Sequence, residues 1–361
     1  MSRTFTHRAL ATRVRFGPGA VTHLADEVDG VGLARVLVIC GPTHEDLGRR
    51  VADLLGERVV ALLPEARMHV PADVARHAVE VAVSRRADGC VTVGGGSAIG
   101  LGKAIALELG LPVVAVPTTY AGSEMTPVWG LTEGGVKRTG RDPRVQPVAV
   151  VYDPELTVTM PLDLTVTSGM NAVAHAVEAL YAPDGSPVTA LMAEEGVRAF
   201  AGALPVLAVD GTDLEARGEA LYGAWLCGSV LGATTMGLHH KLCHVLGGTL
   251  GLPHAATHTV VLPHVVAFNA AAAPGMVAAL NRALGAVDPA GRLWDLAGDL
   301  GAPRALRDLG MAEDDVRRVS ELAAESPYAN PRPVDRSDLE AIVRAAWVGV
   351  TPGSASPRPA P

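Results

Sequence analysis

Cysteine is scarce and scattered: Cys40, Cys90, Cys227 and Cys243 are all there is, and no two have CxxC spacing. That excludes a structural zinc module or a disulfide framework and points to a reducing compartment, the cytoplasm. A surplus of positive charge is also missing. The net charge of -8 excludes nucleic acid or an anionic membrane surface as the main partner, although a local cationic pocket for a small anion stays compatible with it. No apolar run is long enough to span a membrane, and MSRTFTHRALATRVRFGPGA has no apolar core of signal-peptide length. Charged residues are only 19% against 48% hydrophobic, which excludes a disordered chain. At 361 residues, one ordinary core is too small a container, so two domains are expected.

What is present divides near residue 155. Up to that point short apolar runs alternate with helical stretches, the mark of an α/β layer fold. ARVLVIC (34–40), DGCVTVGGG (88–96), LPVVAVPTT (111–119) and QPVAVVYDP (146–154) read as strands. EDLGRRVADLLG (45–56) and VARHAVEVAVSRRA (74–87) read as helices. Beyond Pro161 the strand signal fades, and alanine- and leucine-rich segments over 163–182, 189–203, 213–233, 236–247, 272–285 and 289–300 predict helices. The expected architecture is a Rossmann-like parallel sheet over 1–155, an all-helical domain over 156–350, and a disordered tail, TPGSASPRPAP.

Gly94-Gly95-Gly96-Ser97 stands where a strand hands over to a helix. Glycine lets a phosphate approach the backbone there, and the helix start offers unpaired N–H groups and a positive dipole end. Ile99 occupies the place of the last glycine of GxGxxG, so that fingerprint is absent. Thr118 and Thr119 close the next strand on what should be the same carboxyl edge, where open α/β sheets bind ligands. Together these strand ends predict a dinucleotide site.

Five of the 12 histidines fall in GLHHKLCHVLGGTLGLPHAATH (237–258). His240 and His244 are four apart and share a helix face, and the helix is expected to stop at Gly247-Gly248. His254 follows a proline, and His258 comes one helical turn later. The cluster suits either a metal-ligand set or a proton-transfer pocket.

GGGSAIGLGKAIAL, PTTYAGSEMTPVWGLTE, GMNAVAHAVEALYAP and GLHHKLCHVLGGTLGLPHA occur in that order. From about residue 10 to 350 the chain therefore resembles the iron-containing alcohol dehydrogenase family. TYAGSEMTPVWGLTEGGVKRTGRDPRV, SGMNAVAHAVEALYAPDGSP, HHKLCHVLGG and PYANPRPV are similar to the branch that reduces maleylacetate. The resemblance implies a nucleotide-binding α/β domain followed by a helical domain, NADH or NADPH as cofactor, a small dicarboxylate substrate and a homodimer. The implied reaction is reduction of the maleylacetate double bond to 3-oxoadipate in bacterial aromatic breakdown.

Metal-dependent relatives hold iron or zinc with an aspartate and three histidines, positions that fall on Asn171, His175, His240 and His254. With an asparagine for the only anionic ligand, His175, His240 and His254 are vestigial metal candidates and a metal is expected to be dispensable. His244 matches a further active-site histidine. Gly100 stands where the family often has an aspartate. Gly41 replaces the aspartate of NAD-preferring relatives, so NADPH should be tolerated beside NADH.

The catalytic set expected is Asn171, His175, His239, His240, His244 and His254, imidazoles and an amide that hydrogen-bond to enolate and carboxylate oxygens. Gly41, Gly94, Gly95, Gly96, Ser97, Thr118 and Thr119 are expected to hold the dinucleotide. Lys137, Arg138 and Arg141 are candidate partners of the substrate carboxylates, and Tyr120 and Ser123 candidates for nicotinamide or substrate. Lys103 is expected on the nucleotide side or in solvent, without a catalytic role. The rival readings are a metal-dependent alcohol dehydrogenase using His175, His240 and His254, a lyase of the dehydroquinate synthase type, and a nucleotide-binding protein without catalysis.

Overall fold

Six short, valine-rich segments cannot satisfy their backbone groups alone, and in the computed structural model they pair into one all-parallel sheet. The structure describes residues 4–7, 9, 11–134 and 136–353. The chain forms two compact units. Of the described residues, one comprises those within 9–160 and 212–221, the other 4–7, 161–211 and 222–353.

The α/β unit runs β1 (Arg13–Phe16), α1 (Leu24–Val31), β2 (Val36–Cys40), α2 (Glu45–Leu55), β3 (Val59–Leu63), α3 (Ala72–Ser84), β4 (Gly89–Gly94), α4 (Gly96–Leu109), β5 (Val113–Pro117), β6 (Val128–Glu133), β7 (Val136–Arg141) and β8 (Ala149–Tyr152). The sheet order is β1-β8-β5-β4-β2-β3, while β6 and β7 pair antiparallel as a separate hairpin. Strand β2 is buried along its whole length, and its side chains alternate between two cores. Val36, Val38 and Cys40 join one face, Leu37 and Ile39 the other, as the two-residue period of a strand requires. From β2 the chain moves outward to β3 and then back across to β4. The topological switch of the sheet therefore lies between the carboxyl ends of β2 and β4.

The helical unit contains α5 (Leu162–Ala179), α6 (Pro187–Val209), the later part of α7 (Leu214–Ala233), α8 (Leu238–Leu250), α9 (His254–Asn269), α10 (Pro274–Leu284), α11 (Pro289–Asp299), α12 (Asp315–Ala324) and α13 (Arg336–Val348). Starts are well signalled: Ser186 and Thr189 form a capping box for α6, and Asp335 and Asp338 another for α13. A core of Leu238, Leu242, Leu246, Val261, Val265 and Ile342 fixes α8 and α9 against α13.

Two expectations need correction. Helix α8 does not stop at Gly247-Gly248 but runs to Leu250, and the left-handed residue that ends it is Gly251 at φ 68°. A helix tolerates interior glycine at a cost of only about 1 kcal/mol when its neighbours are packed. The stretch 254–269, outside the segments read as helices, forms α9, which His254 opens and which continues through Pro263. Tail residues 354–361 lie outside the described residues.

Candidate active site

The nucleotide-side residues gather on the carboxyl edge of the sheet. Gly41 follows the end of β2 and Gly94 ends β4, so they flank the topological switch. Gly94 adopts φ +139°, open only to glycine, and Gly95 begins α4 without a side-chain cap. A Cβ on Gly95 would lie 2.9 Å from Thr119 Cγ2 and Oγ1. The glycine turn and Thr119 are therefore in van der Waals contact, and the Thr118 N–H donates to the Gly94 carbonyl at 3.2 Å. Bare backbone, the unpaired N–H groups at the start of α4 and threonine hydroxyls on one edge form a cradle that fits a dinucleotide phosphate. At Gly100 an added Cβ would stand 2.7 Å from Val70 Cγ2, so the helix packs closely on Val70 there.

The same unit corrects one expectation. Lys103 faces neither nucleotide nor solvent. It is buried, and its ammonium donates to the carbonyls of Ser123, Thr126 and Val128 and to Thr126 Oγ1 at 2.6–2.9 Å. Tyr120, for which packing is as strong an expectation as ligand contact, is also buried, and Arg217, from the segment 212–221, donates to its hydroxyl at 3.2 Å. Ser123 opens a turn that Lys103 holds through the backbone. Lys137, Arg138 and Arg141 lie on the hairpin strand β7, with Lys137 and Arg138 exposed.

In the helical unit α5, α8 and α9 bring the histidines together. His240 is within 5.1 Å of His175, 5.5 Å of His239, 6.0 Å of His244 and 4.9 Å of His258, measured between ring centroids. His254 stands 4.3 Å from His258 and 6.5 Å from His244. His175, His239, His240 and His258 are buried, whereas His244 and His254 are exposed. Asn171 lies one turn before His175 on α5, buried, with Oδ1 lacking a partner. Burial, reinforced by neighbouring histidines, pushes His175 and His258 well below the usual range, and burial lowers His239 to about 3. These rings are neutral near pH 7.

Two residues escape the motif reading. His258, like His240, stands beside four other rings of the cluster, and its Nδ1 is 3.0 Å from His239 Nε2. Whichever ring donates in that pair, the other proton sits at an outer nitrogen, His239 Nδ1 or His258 Nε2, and both are buried without partners. Glu178, one turn beyond His175 on α5, is fully buried, and His240 Nδ1 lies 2.6 Å from its Oε2. Burial alone would raise the Glu178 carboxyl, but His240 and the N–H donors around it hold it down at about 2. The usable sequence signal was the spacing His175-x-x-Glu178, which puts imidazole and carboxylate on one helical turn.

The donor set does not fit a carboxylate-anchored iron. The aspartate position is Asn171, and Glu178 is saturated by other donors. Ring nitrogens of His239, His240 and His258 do lie within 4.8 Å of one another. Yet the 3.0 Å separation of His239 Nε2 and His258 Nδ1 is that of a direct hydrogen bond, which uses one of those lone pairs.

Residues 11–154 match the family model described as iron-containing alcohol dehydrogenase, and residues 165–347 its C-terminal counterpart. The chain is 53% identical to maleylacetate reductase of Pseudomonas knackmussii over 97% of this chain and 99% of that one. It is 52% identical to maleylacetate reductase of Burkholderia cepacia over 96% and 99%. The crystal structure of maleylacetate reductase from Agrobacterium tumefaciens superposes with a TM-score of 0.94 at 46% identity, covering 97% of this chain and all of that one.

Proposed function

Since the chain belongs to the iron-containing alcohol dehydrogenase family, we propose that it catalyses the NAD(P)H-dependent reduction of maleylacetate to 3-oxoadipate in bacterial aromatic breakdown. The observation that carries this reading is its full-length likeness, at 50% identity and above, to maleylacetate reductases. Residues 1–155 serve the dinucleotide and 156–350 the substrate. Bound NAD(P)H supplies a hydride to the alkene carbon β to the ketone. The electron pair of the double bond then moves onto the ketone oxygen, and the resulting enolate takes up one proton at its α carbon.

Gly41, Gly94, Gly95, Gly96, Ser97, Thr118 and Thr119 hold the dinucleotide; with Gly41 at the end of β2, no carboxylate at that position opposes a 2′-phosphate. Asn171, His175, His239, His240, His244 and His254 act on the enolate and carboxylate oxygens, by N–H donors or, at His240 Nε2, by relaying a proton, and burial of the first four strengthens the hydrogen bonds they make. The His239–His258 pair can pass a proton from one outer nitrogen to the other with no change in net charge. Lys137 and Arg138 are exposed cations available to the dianion. We further propose that turnover needs no resident metal, on the strength of Asn171, and that the enzyme is a cytoplasmic homodimer. Among the described residues no helix is long and apolar enough to cross a membrane.

The test is NADH and NADPH oxidation with fresh maleylacetate, before and after EDTA. Turnover unchanged by EDTA is the expected result. Turnover abolished by EDTA and restored by zinc or iron would overturn metal independence; good cofactor binding without turnover would overturn the substrate and favour a small alcohol or aldehyde.

A further inference from the structure

The buried carboxylate of Glu178, on α5, holds the start of α8 within the histidine cluster's frame. Oε2 accepts from the Gly237 N–H at 2.9 Å and faces His240 Nδ1 at 2.6 Å. Oε1 accepts from the His239 N–H at 2.7 Å and from the Tyr181 hydroxyl at 3.0 Å. Two of these donors are backbone groups at the start of α8, whose N-cap, Gly237, has no side-chain cap of its own. A carboxylate there also meets the positive end of the helix. Gly237 is what allows the approach: an added Cβ would lie 2.4 Å from the Ala329 carbonyl oxygen and 3.3 Å from Glu178 Oε1.

An ionised carboxylate can only accept, so the proton on His240 facing it must sit on Nδ1. The other ring nitrogen, Nε2, is buried and has no partner. With the proton on Nδ1, Nε2 is a bare acceptor whose burial is costly until a ligand hydroxyl or a proton fills the position. Capping of α8 would need only the backbone contacts. The imidazole contact adds an orientation, with one tautomer turned toward the pocket.

We propose that Glu178 is a positioning residue for the reduction, fixing His240 with Nδ1 toward the carboxylate and Nε2 presented to the substrate. This rests on reading the histidine cluster as the reductive site. Because the family aspartate is absent at Asn171, Glu178 is also the anion that orders this pocket, acting through His240 and not on a ligand directly.

The experiment uses the full chain with 15N-labelled histidine, the His240 signals being assigned by their loss in His240→Gln. Ring shifts of the wild type should show Nδ1 protonated; a His240 protonated on Nε2 alone overturns the proposal without any variant. In Glu178→Gln that signature should be lost, and kcat for maleylacetate should fall by about 100-fold or more, with KM for NADH within about twofold. Tyr181→Phe removes a donor from the same carboxylate without touching His240. It should keep the signature and a kcat within about threefold, whatever it does to melting temperature. A Glu178→Gln enzyme with unchanged His240 shifts, or a Tyr181→Phe enzyme as slow as Glu178→Gln, would reduce Glu178 to a structural cap. If maleylacetate is not turned over at all but the shifts respond as stated, the substrate reading fails and the positioning role stands.

Discussion

Asn171 and Gly95 show how a single atom group decides what a pocket takes. Asn171 is buried one turn from His175 and presents an amide where metal-dependent relatives present a carboxylate. Asn171→Asp restores a charge beside three histidines, and calorimetry with Zn²⁺ should then detect tightening by about tenfold or more over the wild type. Equal affinities would mean that the cluster's geometry, and not its missing charge, governs metal binding. Gly95 has no room for a side chain, because Thr119 occupies the space a Cβ would need. Gly95→Ala should raise KM for NADH by about tenfold at little change in fold, since the displaced partner is a side chain at a phosphate cradle. An unchanged KM would move the dinucleotide away from this edge. At this scale the sequence was informative about type and poor about contact: the histidines and glycines announced themselves. The burial of Lys103 and Tyr120 did not, because both depend on hydrogen-bond partners that arrive from other segments.

Elements were legible where they are buried and regular. The valine-rich β2, β4, β5 and β8 fall inside the runs read as strands, as do α2 and α5 inside or beside theirs. The strands β1 and β3 at the two ends of the sheet, and the β6–β7 hairpin, were missed; they are partly exposed, so neither a continuous apolar run nor clean alternation is required of them. Helix α9 was missed for the opposite reason. It is buried on most of its faces and interrupted by Pro263, which leaves no amphipathic stripe to read. Helix α8 was cut short at two glycines that turn out to be helical. A Cβ on Gly248 would meet nothing within 4 Å. Gly248→Ala should therefore raise unfolding free energy by about 0.5–1 kcal/mol in chemical denaturation; a loss of stability would show that the glycine is needed for closeness to something else.

For the whole molecule, buried imidazoles set the response to acid. Burial lowers His264, beside Trp294, to about 4, and lowers His239 to about 3. Each ring binds its proton less tightly in the fold than in the unfolded chain, so acid favours unfolding. Their contribution is complete above the unfolded value of 6.5 and is lost as pH falls through these depressed values. Glu178, held at about 2, adds a loss of the same sign below its ordinary 4.5. Melting temperature should fall steeply from about pH 7 to about pH 4, and His264→Leu should shrink that fall. A melting temperature flat across this range would mean that the rings are charged in the fold.

The segment 212–221 folds with the α/β unit although the chain has by then entered the helical unit, and its Arg217 is buried on the Tyr120 hydroxyl and the Met160 carbonyl. During synthesis the first unit therefore waits, with Tyr120 lacking its guanidinium, until α7 has left the ribosome. A gene fragment stopped at Met160 would encode every strand of the sheet and still yield an unfinished body.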